Sequence, residues 1–189
     1  TNLQFSSGGF NLDTTLGSTN VYSDEVYAFL EDEWTITENL KVNGGLHFAN
    51  LFVEGESYHS LQPRCGMNYS LPGGYAFKSS YADMMQFVNL LTNEGIGLPT
   101  DLWVPSTARI KPQTSQQIAA GLAKNIGPYE FSVEGYYKQM DNLVSYKEGA
   151  SFLFSVDNDT WEDKISQGSG ESYGMELFAQ RKTGQTTGW

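Results

Sequence analysis

Apolar and polar residues alternate with a period of two along most of the chain. Between Val26 and Ile36 the even positions are largely apolar, while the odd positions carry Glu31 and Glu33. Residues 129–137 show the same alternation. Successive side chains of a β-strand point to opposite faces, so this pattern predicts strands with one apolar and one polar face. The chain is therefore predicted to be all-β, an antiparallel up-and-down meander of about 7–8 long strands.

The predicted connections between these strands alternate in length. Residues 85–112 contain several Gly and Pro residues, and residues 148–170 are largely polar, so both segments are predicted to be long loops. Short turns on one side and long loops on the other are typical of a transmembrane β-barrel, and so are aromatic residues near strand ends, here Trp34, Tyr75 and Tyr129. The short turns are placed at Glu38, Pro72, Gly127 and Gly184, and the longer connections near Glu54, Leu98 and Asp157.

Composition agrees with a barrel wall. Charged residues make up 17% of the 189 residues, against about 25% in soluble domains. No run of about 18 apolar residues exists, which excludes membrane-spanning helices. The net charge of −11 argues against a nucleic-acid partner, because phosphates require Lys and Arg. With Cys65 as the only cysteine, no disulfide can form within the chain.

A soluble β-domain is the competing interpretation, because its strands alternate in the same way. Such a domain would be secreted and would bind a glycan or a protein partner. It would have to bury one set of apolar side chains together in a core of its own, whereas a barrel segment leaves them outside. The set comprises Ile118, Leu122, Phe131, Val133 and Tyr137.

No enzyme and no catalytic residue is predicted. Residues 170–174 match the G-x-S-x-G nucleophile elbow, but that fold places its histidine after the serine, and His47 and His59 both lie far upstream. Residues 157–163 hold four carboxylates and one amide that could bind Ca²⁺, although the EF-hand spacing is missing. A solvated acidic loop is the favoured interpretation, and no cofactor or metal site is predicted.

Four segments together resemble a known family. Residues 109–115 (RIKPQTS) are similar to an "NLKPE-S" stretch, and residues 131–143 (FSVEGYYKQMDNL) to a strand with paired aromatics that ends in "NLI". Residues 172–177 (SYGMEL) are similar to a "GVELE" strand. Pro63-Arg64, together with residues 68–70 and 81–82, resembles the hairpin that comes before the long loop in the same family. In their order and spacing along the chain, the four segments resemble the barrel of TonB-dependent receptors. Residues 95–105 are similar to the SusC-like branch of that family.

The resemblance implies a protein of the gram-negative outer membrane that takes up a nutrient of the siderophore, cobalamin or glycan class. Residues 1–189 would form one partial barrel domain, a segment of a barrel of about 22 strands, with the plug, the TonB box and the signal peptide outside this chain. The implied partners are outer-membrane lipid, the TonB complex through the absent N-terminal part, the imported ligand and a surface lipoprotein.

The two predicted long loops would face outward and help to capture the ligand. Aromatic side chains there can stack on a ligand, and carboxylates can contact it. This interpretation rests on loop position alone. The candidate ligand contacts are Asp101, Trp103, Asp157, Asp159 and Trp161.

Overall fold

The fold is described from a computed structural model of the chain. The structure describes residues 21–91, 102–147 and 160–181, together with the backbone of residues 2–7 and 10–15. The sequence predictions for Asp101, Asp157, Asp159 and the turn at Gly184 lie outside the described residues.

Seven long strands form one antiparallel sheet in the order β11-β10-β9-β6-β5-β4-β3. Sequential strands are neighbours throughout, except that the hairpin β7–β8 lies between β6 and β9 in the chain. The predicted all-β meander is therefore confirmed. The sheet strands are β3 (Ser23–Thr37), β4 (Leu40–Val53), β5 (Glu56–Leu71), β6 (Tyr75–Gln86), β9 (Gln113–Ile126), β10 (Tyr129–Tyr146) and β11 (Ile165–Arg181).

Two short hairpins and one helical turn accompany the sheet. The backbone of β1 (Asn2–Ser7) pairs with β2 (Phe10–Thr15), and β7 (Val88–Leu91) pairs with β8 (Leu102–Pro105). A single turn of 3₁₀ helix, Trp161–Lys164, precedes β11. Within the described ranges, no helix is long and apolar enough to cross a membrane.

The strand register keeps the alternation of the sequence in phase from strand to strand. Val133 of β10 lies opposite Leu122 of β9 on one side and opposite Leu177 of β11 on the other. The apolar side chains therefore form one surface across the whole sheet, called here the apolar face. It comprises Val26, Leu30, Trp34, Leu46, Phe48, Leu61, Tyr69, Phe77, Tyr81, Ile118, Leu122, Phe131, Val133, Tyr137, Tyr173, Met175 and Leu177.

The side chains that a soluble domain would bury are exposed in this structure. Ile118 is 55% exposed, and Val133, the least exposed of the five, is still 37% exposed. Burying one such side chain is worth about 1.5–3 kcal/mol. A face of this size is therefore stable only when an apolar medium or a partner covers it, which opposes the soluble-domain interpretation.

The sheet is staggered as in a tilted barrel wall. Leu40 is the first residue of β4. The residues paired with it from strand to strand include Tyr69 on β5 and Leu122 on β9. β9 continues beyond Leu122 to Ile126. The short turns thus step progressively along the strand direction, as expected when strands tilt relative to a barrel axis.

The buried cores are small and lie at the end of the sheet opposite the turns at 38–39, 72–74 and 127–128. We call this end the loop end and the opposite end the short-turn end. One cluster contains Phe87 with residues of β4, and the other joins β7, β8 and β11 through Ile110. These cores pack the connections onto the strand ends rather than one sheet onto another. The first consists of Ala49, Leu51, Val53 and Phe87, and the second of Leu91, Val104, Ile110 and Ile165.

The predicted long connection near Glu54 is wrong. β4 and β5 are joined by a two-residue turn in which Glu54 has φ 51° and Gly55 has φ 86°. Two consecutive positive φ angles define the type I′ hairpin turn, which usually carries Asn-Gly or Asp-Gly. Glu is uncommon in this conformation, so the sequence of the turn resembled an acidic loop.

The boundaries of both predicted loops also need correction. Residues 85–112 include the hairpin β7–β8, and β11 begins at Ile165 instead of after Gly170. Gly168 and Gly170 pair in register with Leu143 and Met140 across a bulge in β10, which explains why a strand looked like a loop. Residues 170–174 lie inside β11, so the strand-to-helix turn of a nucleophile elbow is not formed there.

Candidate functional site

The face opposite the apolar face, called here the polar face, carries separated charges. One row of paired residues begins with Lys41 on β4 and passes through Lys78 on β6. It continues across Gly121 to Glu134 on β10 and Glu176 on β11. In this row the cations therefore lie on β4 and β6, and the acids lie on β10 and β11 toward the β11 edge.

Glycines leave room for long side chains on this face. A Cβ atom added at Gly45 would lie 3.1 Å from Cγ of Arg64, so the stem of Arg64 lies over Gly45. Lys41 forms an ion pair with Glu33 at 3.9 Å, and both side chains are more than half exposed. An exposed pair of this kind contributes about 0–1 kcal/mol, so it orients side chains rather than holding the sheet together.

Glu134 and Glu176 lie directly opposite each other on neighbouring strands. Like charges in this position destabilise a sheet. A Cβ atom added at Gly121 would lie 3.4 Å from both Cβ and Cγ of Glu134, so Glu134 leans over Gly121. A positively charged group beside this pair would offset the repulsion.

A hydrogen-bonded cluster at the loop end connects segments distant in sequence. We call it the loop joint; it consists of Thr107, Arg109, Thr160, Glu162 and Asp163. Thr107 is completely buried. Its hydroxyl accepts hydrogen bonds from the backbone N–H groups of Arg109 at 3.2 Å and Ile110 at 3.1 Å, and it donates to Glu162.

The guanidinium of Arg109 completes the loop joint. It lies 3.4 Å from Oε2 of Glu162, and it donates to Asp163 and to the hydroxyl of Thr160. The hydrogen bond from Arg109, followed by that from the Thr160 hydroxyl, holds the pKa of Asp163 well below its usual range, although burial opposes this. The same pairing with Asp163 raises the pKa of Arg109.

Further hydrogen bonds connect the segment that carries Arg109 to the strands around it. The hydroxyl of Tyr58 on β5 donates to the Thr107 carbonyl at 2.9 Å. On β11, Gln167 donates to the Lys111 carbonyl at 2.8 Å and accepts from its N–H at 3.1 Å. The side-chain amide of Asn142, at the β10 bulge, donates to the Pro112 carbonyl at 3.0 Å. Residues 107–112 are thus fastened to three strands and to the 3₁₀ helix.

The structure separates the two described candidate contacts. Trp103 is 65% exposed, on the side of the hairpin β7–β8 that also exposes Val88 and Leu90. Trp161 is half-buried and packs against the second core cluster. Asp101, Asp157 and Asp159 lie outside the described residues. In the described ranges, no three His, Cys, Asp or Glu side chains lie close enough together to hold a metal ion.

Sequence reasoning missed the loop joint. Arg109 stands in the RIKPQTS stretch that carried part of the family resemblance, which marked the segment but not its role. The acidic partners, Glu162 and Asp163, follow more than 50 positions later. Spacing along the chain therefore could not indicate the contact.

The fold and the two faces are those of a transmembrane barrel wall. The family model "TonB dependent receptor-like, beta-barrel" matches residues 1–189. This chain belongs to the TonB-dependent receptor β-barrel family, which resides in the outer membrane of gram-negative bacteria. Among curated proteins, no sequence matches the chain.

Solved structures share the fold at low sequence identity. The FrpB iron transporter from Neisseria meningitidis (F3-3 variant) is 13% identical with a TM-score of 0.59; the match covers 87% of this chain and 25% of FrpB. The copper transporter OprC is 16% identical with a TM-score of 0.55, and the match covers 86% of this chain and 27% of OprC. The chain spans about a quarter of the length of these transporters.

Proposed function

We propose that the chain is a non-catalytic part of the barrel wall of a TonB-dependent transporter that imports a nutrient across the outer membrane. The observation that carries this proposal is the apolar face, which continues across all seven strands while the opposite face stays polar. A wall between acyl chains and an aqueous interior requires both surfaces at once, with the apolar one uncovered by the protein itself.

In this arrangement the polar face lines the interior of the barrel, where members of the family hold a plug. We propose that the pair formed by Glu134 and Glu176 receives a cationic side chain of that plug. Support comes from the direct opposition of the two carboxylates and from Gly121, whose missing side chain lets Glu134 lean across it. The cation would remove the like-charge repulsion and fix the plug against β10 and β11.

The loop end would face the cell exterior, because barrels of this kind have short periplasmic turns and long extracellular connections. Trp103 is the described side chain best placed to stack on a ligand, because it is held on a hairpin and remains exposed. Asp101, Asp157 and Asp159 stay proposed ligand contacts. We propose a packing role for Trp161, since it contacts the core cluster around Ile110.

The substrate would belong to the siderophore, cobalamin or glycan class. Two similar folds carry the names of an iron and a copper transporter, so metal chelates are the first class to test. The experiment uses the full-length receptor in a host that lacks its own copy. Uptake of a labelled ferric chelate, cobalamin or oligosaccharide is measured with and without a functional TonB.

We expect TonB-dependent uptake of one class and a loss of binding in the Trp103→Ala receptor, with Val88→Ala as the neighbouring control. Uptake of all three classes that is equal with and without the receptor would reject the transport proposal. The plug contact is tested separately. Glu134→Gln together with Glu176→Gln should leave the barrel inserted but loosen the plug, detected as increased passage of a small antibiotic.

A further inference from the structure

The short-turn end of the apolar face carries two cations. Lys124 of β9 stands in a row of paired residues with Tyr75, Phe131 and Ala179, and Arg181 of β11 lies opposite Tyr129 in the next row. Among the described residues of these two rows there is no acid. This is notable in a chain with 22 acidic and 11 basic residues.

Lys124 is held at an aromatic ring. Its Nζ donates to the hydroxyl of Tyr75 at 2.7 Å and lies 4.2 Å from the centre of that ring. An ammonium group has three N–H donors, so one hydrogen bond to Tyr75 leaves two donors for another acceptor. The contact fixes the charge at the rim of the apolar face instead of letting it extend into bulk water.

Arg181 is placed in a similar way on β11, which β10 separates from β9. Its guanidinium carbon lies 5.9 Å from the centre of the Tyr129 ring, and Tyr129 stacks on Phe131 with ring centres 6.4 Å apart. The two cations therefore flank one aromatic group. Aromatic rings at this depth mark the interface between the acyl chains and the headgroups.

An apolar groove lies beside Lys124, between its row of paired residues and the row that contains Leu122, Val133 and Leu177. It lies between β9, β10 and β11, where Ala179 is small and leaves space opposite Phe131. The groove thus joins a cationic end to an apolar channel on the surface that faces lipid. Its apolar-face lining is Leu122, Lys124, Phe131, Val133, Leu177 and Ala179.

We propose that this site binds an anionic phospholipid of the periplasmic leaflet. Lys124 and Arg181 hold the phosphate, the rings of Tyr75 and Tyr129 border the headgroup, and an acyl chain lies in the groove. The short-turn end of such a barrel faces the periplasm, where the leaflet consists of phospholipid. The inference rests on the proposed membrane wall and adds a specific lipid to it.

The test uses the full-length receptor in vesicles that contain a photoreactive phosphatidylglycerol. The double variant Lys124→Gln, Arg181→Gln is compared with Lys78→Gln, Lys111→Gln, which removes the same charge elsewhere. We expect cross-linking to fall by about fivefold for each cation removed at the site, and to stay at the wild-type level in the control. Equal cross-linking in the two double variants would overturn the proposal.

Competition separates the sources of the phosphate. Dihexanoyl phosphatidylglycerol should compete, and inorganic phosphate at the same concentration should not. Competition by inorganic phosphate, or displacement of the probe by lipopolysaccharide alone, would also overturn the proposal. If the double variant does not insert into the membrane, the positions at which the probe attaches to the wild-type receptor test the proposal instead. Attachment within residues 122–133 or 175–181 supports the site, and attachment elsewhere rejects it.

Membrane insertion is measured independently, from outer-membrane fractionation and the heat-dependent mobility shift of a folded barrel. A wild-type receptor that never enters the membrane would reject the proposed function itself. An inserted receptor without a preference for the anionic lipid rejects the lipid site alone.

Discussion

Arg109 and Glu162 lie 3.4 Å apart between Nη1 and Oε2, although 53 positions separate them in the chain. Only 13% of the Glu162 side chain is exposed, whereas Arg109 is 56% exposed. The pair therefore spans the boundary between a packed core and solvent. It brings the segment after β8 to the helix before β11, so it joins parts of both predicted long loops.

The hydroxyl of Thr107 should control the local stability of the loop joint. In Thr107→Val the shape is kept, but the backbone N–H groups of Arg109 and Ile110 lose their acceptor in a buried site. We expect the free energy of local opening to fall by about 1–3 kcal/mol. The measurement is hydrogen exchange at these two amides. Thr114→Val in β9 is the control and should leave their exchange unchanged.

The loop joint should weaken in acid. Asp163 has a pKa below its usual value because Arg109 donates a hydrogen bond to it. A carboxyl group with a lowered pKa in the folded state stabilises the fold at pH values above its ordinary pKa. This stabilisation decreases as the pH falls from about 4 toward the lowered pKa. Nitroxides on Ala108 and Ser166 should give a narrow distance distribution at pH 7 and a broader one at pH 3.

In Arg109→Ala the distribution should be broad at both pH values, because the ion pair and the largest cause of the lowered Asp163 pKa are both gone. Lys111→Ala should behave as the wild type, since only its backbone contacts Gln167. A distribution that narrows in acid would contradict the assignment of Asp163 as the acid-sensitive group.

Adjacent positions on β10 should respond in opposite ways to the same substitution. Val133 lies on the apolar face and Ser132 on the polar face. Val133→Arg should lower the free energy of unfolding in lipid vesicles by about 2–4 kcal/mol near mid-membrane, and by less closer to the interface. Ser132→Arg should change it little. Equal effects at the two positions would mean that lipid does not cover the apolar face.

Cys65 offers a probe that needs no engineered label site. It is solvent-exposed in the isolated chain and lies between Gly44 and Tyr81 in a row of the apolar face. In the inserted full-length receptor, lipid should cover it. We expect a water-soluble maleimide to label it only after unfolding in detergent. Ala108→Cys, in a Cys65→Ser background, should react readily in the same membranes.

Much of the fold could be predicted because the alternation of apolar and polar residues is a local property that sheet pairing preserves. Val133 and Leu177 share a face in the sequence pattern and in the sheet. The turn at Pro72 and the turn at Gly127 were also predictable, since Gly73, Gly74 and Gly127 supply positive φ angles. These features need no knowledge of distant contacts.

Other features depend on contacts that no local pattern encodes. Glu54 adopts a positive φ angle within a tight hairpin, although its residue type disfavours it. Gly168 and Gly170 look like loop residues, yet pairing with β10 makes them strand. The role of Arg109 required partners from two separate segments. Among the candidate ligand contacts, the position of Trp103 in a predicted loop correctly indicated an exposed side chain. The same reasoning could not show that Trp161 packs against a core cluster.

The two-residue turn at Glu54 and Gly55 limits which insertions and deletions the β4–β5 hairpin can accept during evolution. β5 has 16 residues, more than the 9–11 or so needed to cross a bilayer, so its hairpin with β4 is long enough to extend beyond the bilayer. Adding or removing a single residue from one arm would turn every side chain beyond it to the wrong side. The length of the hairpin can therefore change only in matched steps of two residues per strand. Each step would also move the contact between Tyr58 and Thr107.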